Sequence, residues 1–310
     1  MSINVMHAKS GLRVVLKWKI YRPDSVITAV MPLPMDRFAP IPTQNYSIAT
    51  RLCERTTVGI SAELNGNFQH HTMGFLLSLG GEFFLITCRH TIVNILDTGV
   101  ELWIGRNSAG KALRLTGTFH YPKSPSNDAA IIRLPPGAAD FFGTERFAKF
   151  DDLCHSKQPI GIPCVMHGAL RDLSRKWDMS ITSDDNRLMT VTYFGRTTTT
   201  PVSIGQLDDK MQFLICADNL VTTIGNENRM VRSELNASFE GLSGTPIYAV
   251  DGDPFLPDWN PVDTKIIGIQ STFIGLESAF GNYDFMKVTR IESACSVISE
   301  AYPDAWNRRR

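Results

Sequence analysis

Between Thr57 and Leu134 the apolar residues come in short runs, and nearly every run is closed by a turn signal. Thr57 to Leu64 ends at Asn65-Gly66, the dipeptide most favoured in a tight hairpin. Gly74 to Leu79 ends at Gly80-Gly81 and is answered by Glu82 to Cys88. Val100 to Ile104, Ala112 to Tyr121 and Ala129 to Leu134 follow, and Pro135-Pro136-Gly137 closes the series. An amphipathic helix needs about ten residues or more at a 3.6-residue period. These runs are shorter, or alternate, so they confine the region to antiparallel strands in a sandwich or barrel. The same texture returns near Ile160: Pro163 to Leu170, Arg187 to Arg196, Gln212 to Cys216, Pro246 to Val250, Lys265 to Phe273 and Phe285 to Val288. There is no internal sequence repeat.

The two ends read differently. Ile291, Cys295, Ile298 and Ala301/Tyr302 fall at helical spacing, with Thr289 as the expected N-cap, Glu292 three residues on, and Pro303 as the stop. Leu12 to Tyr21 alternates in part, as a strand does, and Pro32, Pro34, Pro40 and Pro42 read as an extended linker. The expected organisation is an N-terminal extension of unknown role over 1–56, a first β unit over 57–136, and a connector over 137–159 with a helical turn near Phe141 to Phe150. A second β unit over 160–288 and a C-terminal helix and tail over 289–310 complete it.

The totals narrow the function classes. Of 310 residues, 31 are Lys or Arg and 31 are Asp or Glu, so no net charge marks the chain for nucleic acid or an anionic membrane. The basic end Asn307-Arg308-Arg309-Arg310 is short and reads as a solvated tail. The longest apolar stretch, Gly74 to Cys88, is broken by Ser78, Gly80, Gly81 and Glu82 and is too short to span a bilayer. The start lacks a charged segment followed by an apolar one, so no secretory leader is expected. Cys53, Cys88, Cys154, Cys164, Cys216 and Cys295 are scattered and read as free thiols. The expected setting is cytoplasmic, that of the host cell if the chain is viral. Cys154, His155, Cys164 and His167 are zinc-type residues, but positions three apart on a strand over 162–170 point to opposite faces, so no metal is expected.

One stretch carries chemistry: Ser238-Phe239-Glu240-Gly241-Leu242-Ser243-Gly244-Thr245-Pro246. Glycines around a serine permit a turn that aims the Gly241 and Ser243 N–H groups at one point, where they would hold an oxyanion beside the Ser243 hydroxyl. The plain alternative is a tight turn entering a strand. Two further residues favour the first. His90 stands at the end of the apolar run Phe83 to Cys88, and Asp128 opens the apolar run Ala129 to Leu134. A serine nucleophile needs a base, and an imidazole base needs a carboxylate to fix its tautomer. His90 and Asp128 are those residue types, each placed at the end of a strand.

The order His90, Asp128, Ser243 excludes the α/β-hydrolase and subtilisin arrangements. With Gly74-Phe75-Leu76-Leu77, Leu85 to His90, Asp128 to Ile132, Gly241 to Pro246 and Ile267-Gly268-Ile269-Gln270-Ser271, the chain resembles the chymotrypsin-fold (trypsin-like) serine peptidases over roughly residues 57–301. In motif style it is nearer to the bacterial HtrA-type and viral members, with no room for a PDZ domain after Ser243. The resemblance implies an all-β fold of two antiparallel six-stranded β-barrels with a C-terminal helix. It implies a His90-Asp128-Ser243 triad, an oxyanion hole from Gly241 and Ser243, and a peptide or protein substrate. A pocket base near Ala237 and a wall over Gln270, Ser271, Thr272 and Phe273 follow by analogy. No charged residue plainly stands at that base, which favours a small or apolar residue before the cleaved bond. No cofactor is implied.

Three departures from the family pattern matter. Thr91 follows His90 where secreted members have a cysteine. Thr245 replaces the usual second glycine after the serine. Leu242 stands where digestive members carry the aspartate that pairs with a newly cut amino terminus. Leu242 is therefore expected to sit among apolar neighbours, and the protein to need no proteolytic activation. A second reading of the same residues is a degenerate domain that binds peptides or a partner without cutting them.

Overall fold

The computed structural model describes residues 3–8, 11–18, 27–29, 41–64, 67–105, 111–124, 126–157, 159–171, 177–178, 190–198, 207–224, 228–231, 240–278 and 281–309. The chain divides into two units, Met1–Pro40 and Ile41–Arg310. The first holds a three-stranded antiparallel sheet with β2 (Gly11–Trp18) between β1 (Ile3–Ala8) and β3 (Ile27–Ala29). The alternation of Leu12, Val14 and Leu16 thus does mark a strand. Pro32, Pro34 and Pro40 lie outside the described residues.

The second unit opens with a helix where the prolines read as linker. α1 (Thr43–Glu54) starts directly after Pro42, whose φ of −55° and ψ of 138° suit the residue before a helix. Its buried residues Tyr46, Ala49 and Cys53 recur at helical spacing and pack into the core.

Six strands then form a curled sheet in the order β8 (Leu113–Arg114), β7 (Glu101–Ile104), β4 (Thr57–Leu64), β5 (Asn67–Leu79), β6 (Glu82–Cys88), β9 (Ala129–Arg133). α2 (Arg89–Leu96) follows β6 without a break, and α3 (Ala138–Phe142) follows β9. The expected first barrel is not closed among the described residues. The run read as a strand from Ala112 to Tyr121 contributes only Leu113–Arg114 to the sheet, and beyond it only a single bridge, His120 to Ile131, touches the free edge of β9. Two paired residues are too few to carry the sheet round to β9.

The second sheet does close. β10 (Pro163–Ala169), β12 (Thr190–Thr198), β13 (Gln212–Ile224), β15 (Pro246–Val250), β16 (Thr264–Ser278) and β17 (Gly281–Arg290) form a ring in the order β12-β10-β15-β16-β17-β13, sealed by pairing of β12 with β13. The short β11 (Trp177–Asp178) pairs with β5, and β14 (Asn228–Val231) extends β13 as a hairpin. The fold is thus mostly β: one closed six-stranded barrel, one curled half-barrel, and helices at the C-terminus.

Strand alternation sorts the apolar residues. Leu76, Leu85, Ile60 and Ile132 fill the half-barrel. Their neighbours Phe75, Leu77, Phe84 and Ile86 face the other way and meet Val165, Phe194, Tyr248 and Ile269 from the closed barrel. A third cluster, with Met166, Val191, Tyr193, Ile247 and Val288, fills the closed barrel. α4 (Ile291–Ala301) and α5 (Pro303–Asn307) cap the cluster between the sheets. The expected N-cap differs: β17 runs on to Arg290, so Thr289 is a strand residue and makes no cap. Pro303 ends one helix and begins another.

Candidate active site

β6 and β9 are antiparallel, with Cys88 opposite Ala129. Arg89 follows β6 and Asp128 precedes β9, so the start of α2, with His90 as its second residue, lies against Asp128. His90 lies in the first turn of α2. Its backbone N–H donates to Asp128 Oδ1 at 2.9 Å, and its ring Nδ1 lies 2.6 Å from Asp128 Oδ2. A carboxylate accepts only, so Nδ1 carries a proton, and in the neutral ring it is Nε2 that keeps its lone pair. The His90 side chain is 43% exposed and that of Asp128 11%, so the ring is open to a ligand while the carboxylate is shielded.

Ser271 adds a third donor: its hydroxyl gives a hydrogen bond of 2.6 Å to Asp128 Oδ2. Burial alone would raise the Asp128 carboxyl. The hydrogen bonds from His90 and Ser271, with the attraction of the His90 ring when it is protonated, outweigh it and hold the group below the ordinary carboxylate range. The side chain of Ser271, a residue expected in the substrate wall, is buried and bonded to Asp128. The bulge in β16 between Gln270 and Thr272 is what turns it inward, and alternation alone does not reveal a bulge.

Ser243 sits three residues before β15. Its Oγ donates to Ser271 O at 3.2 Å, and no hydrogen bond joins it to His90. Ser243 and Asp128 are thus linked through one residue, Ser271, by its carbonyl and its hydroxyl. The carbonyl of Ser243 accepts from Met73 N–H at 2.8 Å and from the Thr72 hydroxyl at 2.5 Å. β5 of the half-barrel therefore grips the turn of the closed barrel.

Both glycines of that turn have positive φ, 98° at Gly241 and 87° at Gly244. A Cβ on Gly244 would stand 2.1 Å from Met73 O and 2.5 Å from Thr87 Oγ1. Gly244→Ala combines a left-handed alanine with a clash against backbone, and is expected to cost at least about 3 kcal/mol. Urea unfolding measures the loss, and a stability within about 0.5 kcal/mol of wild type would contradict it.

Among the described residues, the N–H groups of Gly241 and Ser243 donate to nothing, while the carbonyls of their peptide units are held. Glu240 O accepts from Arg171 N–H at 2.8 Å, and Leu242 O accepts from Thr245 N–H at 3.0 Å. A trans peptide puts its N–H opposite its C=O, so both free donors face away from those anchors. Leu242 itself is fully buried in the barrel core with Met166, Leu170 and Ile247, as its apolar nature requires.

His70, which carries no signal of its own in the sequence, braces the same turn from β5. Its Nε2 lies 3.1 Å from Gly241 O and 3.2 Å from Ala169 O, both acceptors, so Nε2 carries the proton. Burial pushes the imidazolium pKa down to about 4, against the smaller opposing effect of those two carbonyls. The unfolded chain then binds a proton below about pH 6.5 that the folded one refuses, so stability falls as the pH drops from there towards about 4. The expected loss is about 3 kcal/mol by pH 4. His70→Gln should flatten this dependence in urea titrations at about pH 7 and about pH 4.5, and an unchanged slope would exclude His70 as its source.

Cys88, His90 and Asp128 bring ligand-type atoms within 4.8 Å of one another. The Cys88 thiol is fully buried, pushed well up by burial and by Asp128, and donates to Gln270 O at 3.0 Å, so the thiolate a metal needs is disfavoured. The sequence-noted Cys164 donates to Ile162 O, His167 meets Thr192 and Glu54, and His155 stacks on Phe150. Of the expected pocket residues, Ala237 lies outside the described residues, Gln270 is buried, and Thr272 is exposed.

No protein-family model matches the chain, and no curated protein matches it. Solved structures do match. One, from work on coupled folding and binding of the intrinsically disordered Sesbania mosaic virus VPg protein, is 14% identical, with 80% of this chain and 90% of that one covered at a TM-score of 0.39. A likeness that distant places no residue of this chain.

Proposed function

We propose that the chain is a serine endopeptidase of the chymotrypsin fold, with Ser243 as nucleophile, His90 as general base and acid, and Asp128 as the group that orients His90. The observation that carries this reading is the His90-Asp128 pair at 2.6 Å, tied through Ser271 to a serine whose turn leaves two N–H groups unused. The mechanism requires the Ser243 hydroxyl to exchange its bond to Ser271 O for one to His90 Nε2. Oγ then attacks the peptide carbonyl as its proton passes to Nε2. The carbonyl oxygen takes up negative charge against the Gly241 and Ser243 N–H groups. Collapse of that intermediate breaks the C–N bond, with His90 giving its proton to the leaving amine. Water repeats the sequence on the acyl-enzyme and frees Ser243.

Packing of Leu242, rather than an ion pair to a new amino terminus, holds the turn in this reading. The full chain then reacts without trimming.

The hydrogen bond of Ser243 to Ser271 O instead of His90 favours a second reading, a degenerate domain that binds an extended peptide without cleaving it. A fluorophosphonate probe separates the two. The peptidase reading expects covalent labelling of the intact 310-residue chain and none of Ser243→Ala. An unlabelled, folded wild type excludes it.

A further inference from the structure

We propose that the Thr245 hydroxyl is the positioning group of the oxyanion site, holding Leu242 O so that the Ser243 N–H stays aimed at the reacting carbonyl. This rests on the peptidase reading above. Thr245 is fully buried, and its Oγ1 donates to Leu242 O at 2.5 Å, beside the 3.0 Å bond from its own N–H to the same oxygen. A threonine hydroxyl often bonds a carbonyl three residues back, and by itself that is only local satisfaction of a buried group. What matters here is which carbonyl is held. Leu242 C=O and Ser243 N–H belong to one planar unit, so fixing the oxygen fixes the donor.

The surroundings are cut to admit this hydroxyl. A Cβ on Gly168 of β10 would stand 2.7 Å from Thr245 Oγ1 and 2.8 Å from Leu242 Cδ2, so a side chain there would displace both. Thr245 is tied at its other end as well, since its carbonyl accepts from Gln270 N–H at 2.8 Å, and Gly244 N–H donates to Gln270 O at 2.8 Å. The hydroxyl therefore projects from a fixed backbone. Leu242 brings no charge with which to anchor the peptide, so orientation depends on these bonds and on packing.

The test compares Thr245→Val, which keeps shape and removes the donor, with Thr245→Ser, which keeps the donor. Thr245→Val is expected to lower kcat about ten- to one-hundred-fold, with KM within about twofold and fluorophosphonate labelling slowed in parallel. Thr245→Ser is expected to stay within about threefold of wild type in kcat, whatever the order of the two melting temperatures. A purely structural hydroxyl would move the melting temperatures and leave kcat alone. If Thr245→Val does not fold, Thr245→Gly replaces it and is expected to lose turnover while serine keeps it. Wild-type kcat in a variant lacking the hydroxyl, or a serine variant as slow as valine, overturns the proposal while leaving the peptidase reading intact. A folded wild type that the fluorophosphonate does not label overturns both.

Discussion

Ser243→Ala and His90→Ala are each expected to lower peptide hydrolysis by about 10⁴-fold or more, and the double variant by little beyond either single one. In the proposed mechanism the two side chains act as one unit: without the base the hydroxyl is a poor nucleophile, and without the hydroxyl the base has nothing to activate. Neither change should disturb the fold. Ser243 Oγ makes one hydrogen bond, to Ser271 O, and the His90 side chain is 43% exposed in the first turn of α2. The turn keeps its grip on β5 through the Ser243 carbonyl, which alanine retains. Melting temperatures near wild type with turnover gone would locate the effect in chemistry. The measurement is steady-state cleavage of a mixed peptide pool, with active sites counted by the fluorophosphonate. Full turnover in Ser243→Ala would assign the nucleophile elsewhere.

Much of this was legible in the sequence because it is local. His90 and Asp128 stand at the ends of apolar runs that pair as β6 and β9, and Ser243 lies between glycines that need positive φ. The β class follows from alternation and from turn dipeptides. Closure of the half-barrel does not: Ala112 to Tyr121 reads as a strand, but pairing depends on a partner that the window cannot contain. α1 was hidden by Pro42, although Tyr46, Ala49 and Cys53 carried the helical spacing. Thr289 looked like a cap because the pattern of the box is present, but the strand outlasts it. The residues that brace the turn were illegible for one reason. His70 and Thr72 act on partners far away in sequence, each on a residue 171 positions on. No local pattern marks them.

Asp128→Asn tests the orienting role and is expected to lower kcat by about 10⁴ with the fold kept. Asp128 accepts at both oxygens: Oδ1 from the His90 backbone N–H, Oδ2 from the ring Nδ1–H and the Ser271 hydroxyl. An asparagine offers one acceptor and one donor. If its amide nitrogen faced the His90 backbone, two N–H groups would oppose each other. The flipped amide avoids this by keeping oxygen on the backbone N–H and turning its NH₂ to Nδ1, with the Ser271 hydroxyl rotating to accept. That arrangement satisfies every partner and moves the ring proton to Nε2, where a base must have a lone pair. It also removes the negative charge that would stabilise the imidazolium. In the wild type the depressed Asp128 carboxyl contributes stability above the ordinary carboxylate range, and this is lost as the pH falls through its folded value. Asp128→Asn should lack that acid-side loss. Turnover and acid unfolding of the variant check both halves. A near wild-type rate would require another carboxylate beside His90. Asp152 is already held by Lys149 N–H at 2.8 Å and faces Arg55 at 3.6 Å.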